Sequence, residues 1–387
     1  MATLYCSLEQ IKRAVGINGR SRDPVVMRLI ESSSRRIDQA TRRIFIPKTQ
    51  TRTFRWPQRQ PSLGYILWLD FDLISVTTLQ TKAQNTTPTT IVAADYFLEP
   101  ANFAPPYDRI EIDQSSTAVF EGGDTSQRSI SVAGSWGYRD DKRASGTVSS
   151  GLAASATATS MVCSDGSLID VGNTLLIETE QVFVSDRSFA ALGVILLDMV
   201  GNLASDKATV AVTVDAAHGI VAGETIRIDS EQMYVESVSG NILTVTRAYD
   251  GTVLASHTDN TAIHINRTLT VERAINGTTG ATHADATAIN VYEPPFDINE
   301  WCVAETIAAY LQEGAGWGRT IGQGDGAMEF GAREFGARAS VFGRLAQVSL
   351  EERLTAVSRF RILSISSLAL VEKFGMTLRA DPLRLRA

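Results

Sequence analysis

Two histidines occupy matched positions in the second half of the chain. His257 stands two residues before Asp259, and His283 stands two residues before Asp285. A histidine beside a carboxylate can bind a metal or transfer a proton, but a metal site needs several converging ligands. Matched positions in two copies of a structural unit normally lie apart. We therefore interpret both histidines as parts of a repeated turn and predict no metal site.

Other residues that suggest chemistry lack the context that the chemistry needs. The stretch Gly322-Gln-Gly-Asp-Gly326 resembles a phosphate-binding loop in composition, yet no Gly-Lys-Ser/Thr follows it. No Gly-x-Ser-x-Gly nucleophile motif is present. The glutamates at 178, 180 and 231 lie in strand-like segments whose other face is apolar, and we expect them at the surface. The sequence therefore predicts no enzyme, no catalytic residue and no bound cofactor.

The charge is unevenly distributed along the chain. The protein has 387 residues and a net charge of −7, but residues 1–60 hold 13 Lys/Arg against 4 Asp/Glu. A basic end favours contact with an acidic protein surface or with nucleic acid, and the alternative is a solvated helix face. The candidate assembly or DNA-channel contacts are the helical arginines Arg28, Arg35, Arg36, Arg42 and Arg43.

The cysteines and the apolar runs indicate where the protein is made. Cys6, Cys163 and Cys302 are far apart and odd in number, which favours reduced thiols and a cytosolic assembly site. No apolar run approaches the roughly 18 residues of a membrane span. The first residues lack the basic and apolar regions of a signal peptide. We therefore expect no membrane partner.

An internal duplication organises the middle of the chain. Residues 243–265 recur at 269–291 with a constant offset of 26 residues, as between Arg247 and Arg273. Residues 223–235 match 172–184 with an offset of 51 residues. The order is therefore first half, first half, second half, second half, which means that one copy is inserted inside the other. We assign 153–186 and 267–293 to an outer module and 208–266 to an inner one.

Both modules have the pattern of small antiparallel β structures. Apolar residues alternate in Thr225-Ile-Arg-Ile228 and Leu243-Thr-Val245, which is typical of half-buried strands. Asp250-Gly251 supplies a turn that tolerates positive φ. Each copy is expected to be a sandwich or barrel of roughly 60 residues, close to the lower limit for an independent core. Residues 139–152 are polar and are interpreted as a linker.

The segments on either side of the modules contain helix signals. Ser7-Leu-Glu-Gln10 is a capping box, and Asp23-Pro24 opens a longer helix, so a helical hairpin is expected. Strand-like runs follow up to Tyr138, and Asp297 precedes a third helix. The predicted fold class is α+β, with a helical connector core and a small β region, interrupted by two nested all-β modules. The core would comprise 1–138 and 294–361, with 362–387 as a C-terminal arm.

These flanking segments resemble one family, the head–tail connectors, or adaptors, of tailed double-stranded-DNA bacteriophages. The resemblance rests on the hairpin over residues 8–43 and on short motifs in order. The motifs are Ile74-Ser-Val, Asp95-Tyr-Phe, Gly134-Ser-Trp136-Gly-Tyr138 and Pro294-Pro-Phe-Asp297-Ile. In the family the Trp-Gly-Tyr-like strand end is followed almost at once by the Pro-x-Asp-Ile motif. Here about 155 residues intervene, as an insertion of the β modules would produce.

The resemblance implies a structural role in a virion neck. Such adaptors form rings, commonly of about twelve subunits, that dock under the portal protein, extend the DNA channel and bind the next neck or tail completion protein. Contacts to the passing DNA would be independent of its sequence. The protein would be assembled in the host cytoplasm and reside at the head–tail junction. The alternative is a virion decoration or receptor-binding protein whose β modules attach to the host surface.

Overall fold

A computed structural model of the chain describes residues 3–58, 64–103, 105–189, 197–215 and 218–314, with the short strands at 320–321 and 328–329. The described residues fall into two compact units. One contains residues 38–139, and the other combines residues 3–37 with 140–314. The boundary at residues 37 and 38 falls inside a helix. The two units are called the sheet unit and the barrel unit below.

Three α-helices occur in the described part of the chain: α1 (Leu8–Val15), α2 (Asp23–Thr41) and α3 (Phe296–Gly314). The hydroxyl of Ser7 accepts a hydrogen bond from the backbone N–H of Gln10 and so caps α1. Gly16 ends α1 in the left-handed conformation, with φ of 74°. Both ends of α1 are therefore determined by residues adjacent to the helix in sequence.

The sheet unit is built around one antiparallel sheet of six strands. Its strands are β1 (Lys48–Phe54), β2 (Ile66–Thr81), β3 (Thr89–Ile91), β4 (Tyr96–Glu99), β5 (Tyr107–Ile112) and β6 (Ile130–Trp136). The order is β1-β6-β2-β5-β4, with β3 paired to β2. Trp136, Leu73 and Ile110 are fully buried and form the centre of its hydrophobic core.

The barrel unit contains two closed antiparallel barrels of six strands each. The outer barrel consists of β7 (Lys142–Ser150), β8 (Ser160–Cys163), β9 (Thr174–Ile177), β10 (Glu180–Ser188), β17 (Thr268–Glu272) and β18 (Ala288–Tyr292). The inner barrel consists of β11 (Leu197–Val200), β12 (Ala211–Val214), β13 (Thr225–Ile228), β14 (Glu231–Ser239), β15 (Ile242–Thr246) and β16 (Ala262–Ile265). Each has its own hydrophobic core.

The two barrels share one topology. The inner order is β11-β12-β15-β14-β13-β16, and the outer order, started at β7, is β7-β8-β17-β10-β9-β18. Replacing each inner strand with its repeat partner converts one order into the other. The chain leaves the outer barrel after Ser188 and re-enters it at Thr268, and these two residues are paired across neighbouring strands. The inner barrel is thus inserted at a hairpin position of the outer one.

The predicted helical connector core is wrong. The described residues contain more β structure than helix, and residues 48–136 form the complete six-strand sheet of a separate unit. Their alternating apolar residues predict a small β region beside a helical body. Those residues instead supply a large core of their own, so the sheet does not depend on helices for burial. The protein is mainly a β protein.

The structure also differs from the sequence interpretation at the supposed linker. Residues 142–150 form β7, which closes the outer barrel by pairing with β8 and β18. The strand was missed because its residues are mostly polar, and only Ser145 and Val148 are buried. Backbone hydrogen bonds, which any residue can make, hold it in place. The stretch Gly322–Gly326, the end of the predicted core segment from residue 330 to 361 and the arm 362–387 lie outside the described residues.

Gly134 tests how tightly the sheet is packed. A Cβ atom at this position would overlap the backbone carbonyl oxygen of Ser75 on β2. We expect Gly134→Ala to lower the free energy of unfolding by about 2–4 kcal/mol, because the two strands must separate. Gly64→Ala is the control, since its Cβ would meet no atom within 4 Å. Urea unfolding measures both, and equal stability of the two variants would contradict the expectation.

Candidate functional site

The arginines of α2 that lie in the barrel unit are engaged within the chain. Both Nη2 hydrogen bonds of Arg28 reach the carboxylate of Glu313 on α3, at 2.7 and 2.9 Å. Arg36 pairs with Glu305, which precedes Glu313 on α3. Arg35 donates to the backbone carbonyl of Thr3. These three side chains therefore hold α2 against its neighbours and do not form an unpaired basic stripe.

The remaining two predicted contact residues lie in the sheet unit. Arg43 is 3.3 Å from Asp72 and lies over the ring of Tyr138 at 5.0 Å. Burial raises the pKa of Asp72 to about 6 although Arg43 opposes the shift. Arg42 ends α2 with a φ of 58° and is exposed, and no ion pair to it occurs among the described residues. The five arginines thus divide between the two units.

The barrels contain buried, hydrogen-bonded clusters of charged residues that we did not predict from the sequence. At one end of the inner barrel, Glu231 and Arg247 form a bidentate ion pair with both N···O distances at 2.8 Å. Both side chains have no exposed surface. His257 adds a third member, because its Nε2 lies 2.9 Å from Glu231 and its Nδ1 lies 2.8 Å from the exposed carboxylate of Asp229. These residues are called the inner cluster.

The hydrogen-bonding capacity of the buried members of the inner cluster is filled. Glu231 also accepts from the backbone N–H groups of Ala248 and Ala255. The second half of the guanidinium donates to backbone carbonyls, those of Ala204, Thr209 and Ala255. A general base or a ligand-binding group needs a free lone pair or donor. The buried members Glu231, Arg247 and His257 have none left, so they act structurally, while the carboxylate of Asp229 stays exposed.

The outer barrel repeats the same arrangement with residues from distant parts of the chain. Arg273 pairs with Glu180 at 2.6 and 2.7 Å, and His283 lies between Glu180 and Glu178 at 2.9 and 2.8 Å. Glu180 also accepts from the backbone N–H groups at 274 and 281. These residues are called the outer cluster. Every contact matches an inner one at repeat-equivalent positions.

The electrostatics of both clusters keep the buried glutamates ionised. Burial alone raises the pKa of Glu231, but the hydrogen bonds from Arg247, His257 and the backbone lower it to about 2. The pKa of Glu180 is likewise lowered to about 2 by its equivalent partners. Both ring nitrogens of each histidine face carboxylate oxygens.

The sequence contained two signals that identify these clusters. Glu231 has the same strand parity as Met233 and Val235, which are both buried, so the alternation places it inward. The glutamate, arginine and histidine also recur together in both copies. The expectation of a surface position was therefore wrong for Glu180 and Glu231, while the side chain of Glu178 is 59% exposed. The histidines belong to buried ion clusters.

A third buried ion pair joins the two barrels. Glu224 of the inner barrel pairs with Arg267, the residue that leads into β17, at 2.6 and 2.8 Å. Glu224 also accepts from the backbone N–H of Gly166 in the outer barrel. A Cβ at Gly166 would lie 2.7 Å from the carbonyl oxygen of Asn266, so only glycine allows this approach. The junction therefore fixes one barrel against the other.

The described residues offer little support for other kinds of site. They contain no group of three or more His, Cys, Asp or Glu side chains arranged to hold a metal ion. Among them, no helix is long and apolar enough to cross a membrane.

Breaking either cluster is expected to be costly. Arg247→Met leaves Glu231 charged and buried, which lowers the free energy of unfolding by about 3–5 kcal/mol. Arg273→Met should cost a similar amount in the outer barrel. Urea unfolding measures both, with Arg13→Ala as the control, because the Arg13–Asp170 pair is exposed and is expected to contribute less than about 1 kcal/mol. A cost below about 1 kcal/mol for both cluster variants would contradict the prediction.

The clusters also predict acid sensitivity. Glu180 and Glu231 have folded-state pKa values of about 2, below their ordinary value of 4.5. Between these values the unfolded chain binds more protons, so stability present above about pH 4.5 is lost as the pH falls towards 2. Urea unfolding between about pH 6 and pH 2 measures the slope.

The double variant Glu180→Gln/Glu231→Gln provides the comparison for this pH dependence. It should be less stable than the parent protein at neutral pH but should lose less stability on acidification. Asp72, whose pKa is raised, acts in the opposite direction in both proteins, so its contribution cancels in the difference. Identical acid slopes for parent and double variant would exclude the two glutamates as the cause.

Comparisons with known proteins found no relatives of this chain. No family model, no curated protein and no solved structure matches it. The resemblance to phage head–tail connectors therefore stays a prediction that rests on the chain's own motifs.

Proposed function

We propose that this protein is a structural head-to-tail adaptor of a bacteriophage neck. In this role it forms a ring of about twelve copies under the portal protein, continues the DNA channel and binds the next neck or tail protein. DNA passes through without sequence-specific contacts. The proposal keeps the virion location expected from the sequence and drops the helical core, because the structure is mainly β.

The proposal rests on how the chain closes across its inserted barrels. Residues before the barrels contact α3, which follows them, along the length of that helix. Asn299 near its start donates to the carbonyl oxygen of Tyr5 at 2.7 Å and accepts from Gln10 at 2.8 Å. Arg28 and Arg36 pair with carboxylates further along α3. An adaptor interrupted by an insertion requires this contact between the two flanking segments.

The barrels also have the properties of assembly modules. The inner and outer clusters pair the buried glutamate and arginine of each barrel with each other. Helix α1 docks on both barrels: Lys12 lies 3.3 Å from Asp250 of the inner barrel, and the N–H of Leu8 donates to the carbonyl of Val171 in the outer one. A body whose parts are tied together in this way is suited to transmitting contacts in a particle.

The oligomeric state and the portal contact test the proposal. We expect the purified full chain to form closed rings, alone or with the portal protein encoded in the same genome. Native mass spectrometry gives the copy number, negative-stain imaging shows the ring, and antibody labelling of particles locates it at the neck. A chain that stays monomeric with portal present, and that is missing from particles, would overturn the proposal.

Two arginine variants sharpen this test. Arg42 is exposed and has no ion-pair partner among the described residues, whereas Arg28 is paired with Glu313. If α2 contacts an acidic partner, Arg42→Gln should weaken portal binding more than Arg28→Gln does.

Deleting residues 143–291 distinguishes the alternative function. Particles that assemble but fail to adsorb would indicate that the barrels attach the virion to its host.

A further inference from the structure

Two buried cysteines meet where the segment before α1 packs on α3. The Sγ atoms of Cys6 and Cys302 are 3.3 Å apart, although 296 residues separate them in sequence. Cys6 is 5% exposed and Cys302 is fully buried. A disulfide bond of about 2.0 Å requires the sulfurs to approach by a further 1.3 Å or so, which side-chain rotation can supply.

The surroundings of the pair lower the pKa of one of the two thiols. The hydroxyl of Ser34 lies 3.5 Å from the sulfur of Cys302. Burial raises the pKa of the Cys302 thiol, but hydrogen bonds, that from Cys6 first, outweigh it and lower the value. The thiolate is the form that attacks a disulfide. Cys163 differs, because burial raises its pKa to about 11 and no second cysteine lies beside it in the described residues.

We propose that Cys6 and Cys302 form an oxidation site, which closes to an intrachain disulfide when the protein meets a small-molecule disulfide such as oxidised glutathione. The inference does not depend on the proposed adaptor function. It corrects the expectation that all three cysteines remain simple reduced thiols, since two of them are positioned to react with each other.

The reaction proceeds by two thiol–disulfide exchanges. When the segment before α1 opens, the Cys302 thiolate attacks one sulfur of glutathione disulfide, and the other leaves as a thiolate. This leaving thiolate takes the proton of Cys6. The Cys6 thiolate then attacks the Cys302 sulfur and expels the second glutathione thiolate, which takes a proton from solvent. Two cysteine thiols are oxidised and one glutathione disulfide is reduced to two thiols.

The opening that this reaction needs is a local one. Residues 3–7 form no regular secondary structure. Two hydrogen bonds hold Tyr5 in place. Its backbone N–H donates to the hydroxyl of Ser34 at 3.2 Å, and its carbonyl oxygen accepts from the side-chain amide of Asn299 at 2.7 Å. Once formed, the disulfide covalently joins the segments that flank both barrels. It closes a very long loop in the unfolded chain, which is the condition for a large stabilisation.

Thiol counting on the full chain tests the proposal. The reduced protein is incubated with oxidised glutathione a few degrees below its unfolding midpoint and then denatured for thiol titration. We expect three free thiols to fall to one. Tryptic mass spectrometry should show residues 1–12 linked to residues 274–319. The unfolding midpoint should rise by about 5 °C or more.

Cysteine variants identify the reacting pair. Cys163→Ala should fall from two thiols to none, whereas Cys302→Ala should keep both of its thiols. Cys6→Ser replaces Cys302→Ala if that variant does not fold, and it should also keep two. Three remaining thiols in the parent protein, a stable mixed disulfide with glutathione, or a linkage through Cys163 would each overturn the proposal.

Discussion

The barrels depend on one energetically unfavourable feature, the burial of a charged carboxylate inside each of them. Removing Glu180 or Glu231 from water is unfavourable, and each barrel offsets the cost by surrounding that carboxylate with five hydrogen-bond donors. In each barrel the donors come from one loop, residues 247–257 in the inner barrel and 273–283 in the outer one. Each cluster therefore fixes this loop against the strand that carries the glutamate, and a barrel of this size has few other means to do so.

The same constraint explains why one module can interrupt another. Glu180 and Arg273 are 93 residues apart, yet their ion pair has the geometry of Glu231 and Arg247, which are 16 residues apart. The insertion enters and leaves where two strands already pair, so it leaves the outer cluster undisturbed. At the position of Asn173 in the outer copy the inner copy has Glu224, whose longer side chain reaches the other barrel.

Two sets of contacts hold the barrel unit together. The clusters fix one loop against each barrel, and the contacts of α3 with residues before α1 and on α2 connect the segments that flank both barrels. Three arginines of α2 take part in the second set of contacts, because they contact α3 or Thr3. Their charge therefore contributes to internal cohesion, whereas Arg42 is exposed. The adaptor function that we propose would require such cohesion.

The sequence by itself determined the features that depend on neighbouring residues. Those features are the duplication, the caps of α1 and the turns at Asp250-Gly251 and Asn276-Gly277, where all four residues have positive φ. Tertiary structure decided whatever depends on distant partners. Polar β7 became a strand because two barrel strands offered it backbone partners, Glu180 was buried because Arg273 reaches it, and the sheet formed a separate unit with its own core. Local patterns specify conformation, but a buried charge or a polar strand is stable only with partners that the fold brings from far away.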